Sequence, residues 1–432
     1  MSSQEEDNDN EEIENGHISQ SSFSDYSEDI TSDEEGNDVT TVDGTFDTDL
    51  PVAHRYLGRL NNTSKYTVYD DGEMLDILAI HTNTLVFPGF TLPLVMNNHY
   101  ENNVLNTYIK TSNSIALIAA NAAYSKIYTH GTILDIFEYQ HKSGILNLKA
   151  RGRQRFQLVP GSEIKNLAGR LQMVTVKALG ERRTDSPLID TQLLTLKSKR
   201  PYTAREYKDF SKLAKFRRYH AAQYPFPTFV LDSYEVCVYV KQLLEGLSNY
   251  SSEYLPKDPE QLSYWFPQNY QLQHDERLHF LSISSTLERL KLAVRLLRQP
   301  RKICCENCGV ELSDPTKVFA MSKDGVQSNY VNPSGHVYET VTVSEAKNFK
   351  LVGNPSKQFS WFPGYSWTIM QCRQCNKHLG WRFTSSHLKP SIFYGLANSG
   401  FKIVVNLVPQ SSLDWNDWVP HRRLTFTQGY YH

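Results

Sequence analysis

The sequence has no long apolar run, because no stretch reaches the roughly 18 residues that a membrane-spanning helix needs. Its first residues show neither the basic nor the apolar region of a secretory signal peptide, which argues against secretion. Cysteine is scarce: the six cysteines in 432 residues are too few for a disulfide framework. We therefore expect a protein of reducing compartments, in the cytoplasm and the nucleus.

Basic residues are missing from the first 50 positions, which carry 17 Asp and Glu and no Lys or Arg. This block is also poor in apolar residues, so it cannot bury enough surface to offset its backbone entropy. We predict that residues 1–45 are a disordered acidic tail. Residues 51–432 hold the other 30 acidic and all 45 basic side chains, a balance of +15 (45 minus 30). This basic excess is widely spread, which favours a solvated surface over a nucleic-acid interface.

The spacing of apolar residues divides the rest of the chain into three regions. Short, alternating apolar runs broken by Pro and Gly predict a β-rich domain with at least one helix over residues 46–186. Apolar spacing of three and four predicts a helical region over residues 187–300, with one long helix over 274–299 that ends before Pro300. Strand-like runs return over residues 301–408, and residues 409–432 form a tail. The predicted fold class is α+β and multidomain, with an all-β C-terminal domain.

Four of the cysteines form two pairs, Cys305-Glu-Asn-Cys308 and Cys372-Arg-Gln-Cys375. Each Cys-x-x-Cys pair can bind one side of a tetrahedral Zn²⁺, and four thiolates complete a closed structural site. The alternative is a redox motif or ordinary buried thiols, but neither pair sits at the strand-to-helix turn of a βαβ unit. We predict one structural Zn²⁺ that holds the fold and has no catalytic role.

Three of the six tryptophans, Trp361, Trp367 and Trp381, lie within 21 residues around the second pair. If that pair forms the tip of a β-hairpin, Trp367 and Trp381 are directly opposed and Phe383 lies on the same face. Three such indoles can form a box for a methylammonium group or for a small flat polar ring. A tryptophan-rich core is the alternative, and composition leaves both open.

One family shares these motifs. The segments FSWFPGYSWTIMQCRQCNKHLGWRF, YVNPSGHVYETVTV and LVGNPS resemble the C-terminal thalidomide-binding domain of the cereblon family. FDTDLPVAHRYLG, FPGFTLPL and RGRQRF are similar to segments of that family's Lon-type N-terminal domain. YPFPTFVLDSYE resembles part of its helical middle region. The resemblance covers about residues 46–405.

The resemblance implies a non-catalytic substrate receptor of a cullin-4 type RING ubiquitin ligase. The helical region would dock on the DNA damage-binding adaptor protein. The C-terminal domain would hold a glutarimide, or a cyclic imide at a protein's C-terminus, in a tri-tryptophan pocket. The four paired cysteines match the family's zinc ligands. The residues that the resemblance assigns to the pocket are the walls Trp361, Trp367 and Trp381, the floor Phe383, the backbone beside Phe359 with the Trp361 indole N–H, and Asn332 on the covering loop.

The chain departs from the family pattern at several of these positions. Phe359 stands where the family usually has His, so a backbone contact would survive and a side-chain contact would not. Ser334, His336 and Tyr338 stand where the family often has other residues, which changes the range of proteins that a bound ligand would recruit. The Lon-type resemblance brings no protease activity, because the chain has no G-x-x-x-x-G-K-[ST] loop and no Ser-Lys catalytic region.

Two other functions stay open at this point. A reader of methylated or other cationic ligands would use the same box but needs a nearby carboxylate, for which Glu339 is the nearest candidate. Nucleic-acid binding would use the basic stretch KFRRYH. The latter is not expected, because its basic residues share a helix with acids and aromatics.

Overall fold

The computed structural model describes residues 44–63, 67–119, 128–181, 227–248 and 250–405. The KFRRYH stretch, the C-terminal tail and nearly all of the predicted acidic tail lie outside the described residues. Within the described part, no helix is both long and apolar enough to cross a membrane.

The N-terminal part is an eight-stranded sheet with one long helix. Its strand order is β1-β5-β4-β2-β8-β6-β3, with β7 on β8, and an additional β5–β6 pairing closes a ring of five strands. Residues Ser143 and Gly144 join β5 to β6, and both have positive φ, as a two-residue hairpin turn requires. The elements are α1 (Asp49–Ala53), β1 (Asn61–Asn62), β2 (Met74–Thr82), β3 (Thr91–Met96), α2 (His99–Thr111), β4 (Ser114–Ala119), β5 (His130–Lys142), β6 (Ile145–Leu158), β7 (Lys165–Ala168) and β8 (Leu171–Leu179).

In the described residues that follow, four helices are present: α3 (Pro227–Gly246), α4 (Pro259–Asn269), α5 (His274–Ser282) and α6 (Thr286–Leu297). The prediction of one helix over 274–299 is therefore wrong. Ser285 has extended backbone angles, and its hydroxyl accepts a hydrogen bond from the N–H of Glu288. A serine at this position stabilises a new helix start by satisfying a free backbone N–H group. The apolar period runs through this break, so it does not reveal the interruption.

The C-terminal part consists of two antiparallel sheets. A three-stranded sheet has the order β10-β9-β17, and a six-stranded sheet has the order β11-β12-β16-β15-β14-β13. This mixture of β-rich parts and helices confirms the predicted multidomain fold class. The strands are β9 (Arg301–Cys305), β10 (Glu311–Ser313), β11 (Gln327–Val331), β12 (Val337–Val343), β13 (Phe349–Ser356), β14 (Ser366–Cys372), β15 (His378–Thr384), β16 (Ile392–Ala397) and β17 (Phe401–Val405).

A buried ion pair joins helix α5 to strand β12. The Arg277 guanidinium donates to both carboxylate oxygens of Glu339, at 2.8 and 2.5 Å. Asn398 also donates to this carboxylate, at 2.9 Å, and Arg277 donates to the backbone C=O of Pro267. We call this arrangement the Arg277–Glu339 clasp. It fixes strand β12, and with it the edge of the aromatic site described next, to the helices.

Candidate metal centre and aromatic site

The four predicted cysteines meet at one point of the C-terminal part. The sulfurs of Cys305 and Cys375 are 3.6 Å apart, as are those of Cys308 and Cys372. All four sulfurs lie within 4.8 Å of one another. Sulfurs bound to a tetrahedral Zn²⁺ at about 2.3 Å are about 3.8 Å apart, so the spacing matches a four-thiolate site. The cysteines form the ligand set of one structural zinc ion, as predicted.

The two cysteine pairs form the same local turn. In each, the N–H that follows the second cysteine donates to the C=O of the first, at 3.0 Å: Gly309 to Cys305 and Asn376 to Cys372. Gly309 and Asn376 have φ of 74° and 59°, a left-handed conformation that glycine and asparagine adopt more readily than other residues. The turn therefore has a signal in the sequence, which is a Gly or Asn directly after each Cys-x-x-Cys.

The surroundings of the sulfurs act in opposite directions on their protonation. A backbone N–H at Lys377 lowers the pKa of Cys375 to about 6. Burial raises the pKa of Cys305 to about 12. A bound cation favours the thiolate at every position, because its charge acts directly on the sulfur.

The metal centre joins the two C-terminal sheets. Cys305 ends strand β9 of the three-stranded sheet, and Cys372 ends strand β14 of the six-stranded sheet. Zinc therefore fixes the end of the β14–β15 hairpin. That hairpin carries Trp367, Trp381 and Phe383, so the metal holds in place the strands on which these aromatic residues lie.

The expected direct pairing of Trp367 with Trp381 is wrong. Trp367 pairs with Phe383, and Trp381 pairs with Ile369. The partner of Trp367 is displaced by two residues. One comes from the hairpin tip, where Gln371 pairs with His378 instead of Lys377, and the other from a bulge, where Leu379 lies between the partners of Met370 and Gln371. The two indoles still lie on one face of the sheet, as diagonal neighbours.

The three tryptophans form a corner of two rings with a third ring set apart. Trp361 and Trp381 meet edge to face, with centroids 4.7 Å apart and planes at 75°. Trp361 is 7% exposed, and its indole N–H donates to the C=O of Val331 at 3.3 Å. The indole of Trp367 donates to the C=O of Gln358 at 2.8 Å. Within the described residues, no ring contact joins Trp367 to either of the other indoles.

The two phenylalanines assigned to the site have opposite environments. Phe383 is 1% exposed and stacks on Phe393 at 4.9 Å, so it belongs to the core beneath the tryptophans. Phe359 is 50% exposed and has a φ of 54°, which is unusual for a bulky residue. Its backbone N–H and C=O form no hydrogen bond with the described residues. Strained, exposed residues with free backbone groups often mark ligand contacts.

Asn332 lies in the turn between β11 and β12. Its backbone N–H donates to the C=O of His336 at 3.0 Å, and its side-chain oxygen accepts from the N–H of His336 at 2.8 Å. The tip of this hairpin also contacts the N-terminal sheet, because Asn97 donates to the C=O of Pro333. The Asn332 side chain therefore holds the shape of the hairpin beside the tryptophans.

Two further residues contact the tryptophan corner. The Tyr338 ring lies 4.9 Å from Trp381 at 88° and 5.8 Å from Trp361 at 42°. The His378 ring lies 4.9 Å from Trp381, and burial lowers the pKa of His378 to about 4, so this histidine is neutral at pH 7. Sequence reasoning placed Tyr338 in the covering loop and missed His378. The bulge at Leu379 brings His378 to this position. Gly380, which follows directly and has a φ of 136°, is the sequence signal that could have indicated it.

Comparisons with known proteins agree with these observations. A family model described as the ATP-dependent protease La (LON) substrate-binding domain matches residues 75–299. A second, described as Yippee zinc-binding/DNA-binding /Mis18, centromere assembly, matches residues 302–400. The chain is 32% identical to the protein cereblon of Xenopus tropicalis over 83% of this chain and 84% of the relative. It is 31% identical to that of Danio rerio over 85% and 90%, and 30% identical to that of Gallus gallus over 82% and 84%.

Proposed function

We propose, because this chain belongs to the cereblon family, that it is the substrate-recognition subunit of a cullin-4 type RING ubiquitin ligase. In this role it has no catalytic chemistry of its own. Its helical region binds the DNA damage-binding adaptor protein, and its C-terminal domain binds the target. We further propose that the protein acts in the cytoplasm and the nucleus.

The observation that carries the proposal is the corner of Trp361 and Trp381, together with Trp367 on the same face of the β14–β15 hairpin as Trp381. We propose that a glutarimide, or a cyclic imide at a protein's C-terminus, lies between these indoles. The free backbone C=O of Phe359 can accept a hydrogen bond from the imide N–H, and its free N–H can donate one to an imide C=O. A flat neutral ring between apolar walls with a few polar contacts is typical of small-molecule sites.

Imide binding requires one hydrogen bond to change its partner. The indole N–H of Trp361 now donates to the C=O of Val331, at the end of strand β11. An imide carbonyl would replace this acceptor when Val331, at the end of strand β11, shifts, while strand β12 stays held through Glu339. Exchanging one carbonyl acceptor for another changes the free energy little, because no donor is left unsatisfied.

A cationic guest is less well supported. A methylammonium group in an aromatic box is stabilised further by a nearby carboxylate, and Glu339 was the candidate for that role. Glu339 is instead buried and accepts two hydrogen bonds from Arg277. Strand alternation points the neighbouring residues Tyr338 and Glu339 to opposite faces, so this carboxylate faces away from the box.

A fluorescence titration tests the proposed pocket. Glutarimide should quench tryptophan emission saturably, and tetramethylammonium should not. Trp381→Ala should weaken glutarimide binding at least about tenfold, because one wall supplies much of a small ligand's contact area. Tyr100→Ala is the matched control, since Tyr100 is an exposed aromatic residue, 76% exposed, outside the site. Equal binding of the two ligands, or an unaffected Trp381→Ala variant, would contradict the pocket.

The ligase role is tested separately by affinity purification of the full chain from cells. We expect the DNA damage-binding adaptor protein and cullin 4 to copurify, and Trp381→Ala to leave both interactions intact. If neither partner copurifies with the unmodified chain, the ligase role is rejected, while the result of the ligand titration still stands.

A further inference from the structure

A cavity lies outside the tryptophan site, and none of the three site tryptophans lines it. Its volume is about 770 Å³, which falls within the range of small-molecule sites, about 300–1,000 Å³. Strand β6, helix α4 and the turn at Lys323 and Asp324 each contribute to its lining. Phe90 and Trp265 provide aromatic surface. Three separate parts of the fold therefore enclose one space.

Strand β6 brings three arginines to this cavity, at alternate positions of the sequence RGRQR. Arg155 is fully buried and forms an ion pair with Glu181. Arg153 lies 3.3 Å from the carboxylate of Asp135. The third, Arg151, has a different environment from the other two.

Arg151 is half-buried, yet its side chain makes no hydrogen bond or ion pair with any residue that the structure describes. Its guanidinium lies 5.9 Å from the centre of the Phe137 ring. A guanidinium has five N–H donors, and a partly buried one is unstable unless acceptors are supplied. Water or a ligand in the cavity must supply them.

Most charged residues around the cavity have a partner of opposite charge: Arg153 lies 3.3 Å from Asp135, and Lys323 lies 3.1 Å from Asp49. Four cationic residues line the cavity, against three carboxylates. One of the carboxylates, Glu181, is shared between Arg155 and the fully buried Arg289. Burial raises the pKa of Asp324, and the nearby Arg151 charge acts in the opposite direction. Among the described residues, Arg151 is the lining cation without an ion-pair partner, so an anion in the cavity would satisfy it.

We propose that this cavity binds a small organic anion, a carboxylate or phosphate ester attached to a flat apolar body. The anionic group pairs with the Arg151 guanidinium, whose planar set of donors matches carboxylate and phosphate oxygens. The apolar body packs against Phe90 and Trp265. This site is independent of the zinc domain's tryptophans and of the proposed ligase function.

Calorimetric titration of the full chain with three related probes tests the proposal. The probes are 2-naphthoate, 2-naphthyl phosphate and the neutral 2-naphthamide. We expect at least one anion to bind, and the amide to bind at least about tenfold more weakly than that anion. The anion that binds more tightly identifies carboxylates or phosphate esters as the ligand class.

Variants locate the site. Arg151→Met should weaken anion binding about 10- to 100-fold, because a charge-assisted hydrogen bond is lost. Lys142→Met removes an exposed cation elsewhere and should have no effect, as should Trp381→Ala. The proposal is overturned if neither anion binds saturably up to about 5 mM, if the amide binds as tightly, or if Arg151→Met binds like the unmodified chain. The comparison of anion with amide needs no variant, so it decides the question even if Arg151→Met fails to fold.

Discussion

The Arg277–Glu339 clasp allows a quantitative test of how the helices and the zinc domain are held together. Both side chains are 3% exposed, and two hydrogen bonds join them. If Glu339 is replaced by Leu, the Arg277 charge stays buried without its partner. Breaking a buried pair in this way costs about 3–5 kcal/mol of unfolding free energy.

Replacing both partners gives a different result. The double variant Arg277→Met with Glu339→Leu leaves no buried charge, and such changes are often neutral or stabilising. We therefore expect the double variant to be more stable than the Glu339→Leu single variant. The effects of the single variants Glu339→Leu and Arg277→Met on the unfolding free energy should be non-additive by several kcal/mol, as expected for residues in direct contact.

Urea unfolding of the zinc-loaded protein, followed by tryptophan fluorescence, measures these free energies. Lys317 and Glu345 form the control pair, since their 2.7 Å ion pair is 41% and 68% exposed. The same apolar replacements there should cost less than about 1 kcal/mol. The reasoning fails if Glu339→Leu costs no more than the control, or if the effects of the two clasp variants simply add.

Two further predictions concern the metal and pH. Cys372→Ser should abolish binding of one zinc per chain and unfold the C-terminal sheets, because structural zinc sites contribute on the order of 10 kcal/mol. Cys304→Ser changes a buried cysteine outside the ligand set and should keep the zinc. Metal analysis measures the zinc content of each variant, and circular dichroism measures its folding. A Cys372→Ser protein that still binds one zinc would refute the ligand assignment. Burial, assisted by Lys149, lowers the pKa of His54 to about 3, so the unfolded chain binds a proton more readily than the folded one. Stability should therefore fall as the pH drops from 6.5 towards 3, by up to about 1.4 kcal/mol per pH unit. The unfolding free energy of His54→Gln should fall less steeply over this pH range than that of the unmodified chain. The exposed-site variant His99→Gln should behave like the unmodified chain. Identical pH profiles for the unmodified chain and both variants would refute the role of His54.

Local features were predictable from the sequence. Alternating apolar residues predict the long strands β5 and β6, because side chains on a strand point to opposite faces in turn. The zinc ligands were also predictable, since each Cys-x-x-Cys fixes two ligands through a short turn. Gly309 and Asn376 permit the backbone angle that this turn requires.

Two interruptions of regular structure were missed from the sequence. The break before Ser285 depends on a cap that competes with a continuous apolar period. The partner of Trp367 lies two residues beyond the expected one, and the bulge at Leu379 supplies one of these two residues. Gly380, which follows directly and has a φ of 136°, is the local sequence signal for it.

The sequence by itself determined the metal ligands, the main strands and the family, because spacing within a few residues sets each of these. Only the tertiary structure decided that Trp361 is buried against Val331, that Glu339 is held by Arg277, and that Arg151 lines a cavity with no hydrogen-bond or ion-pair partner among the described residues. The physical reason is that burial and pairing depend on which distant surfaces meet. That outcome follows from the packing of the whole chain, and a single segment does not contain it.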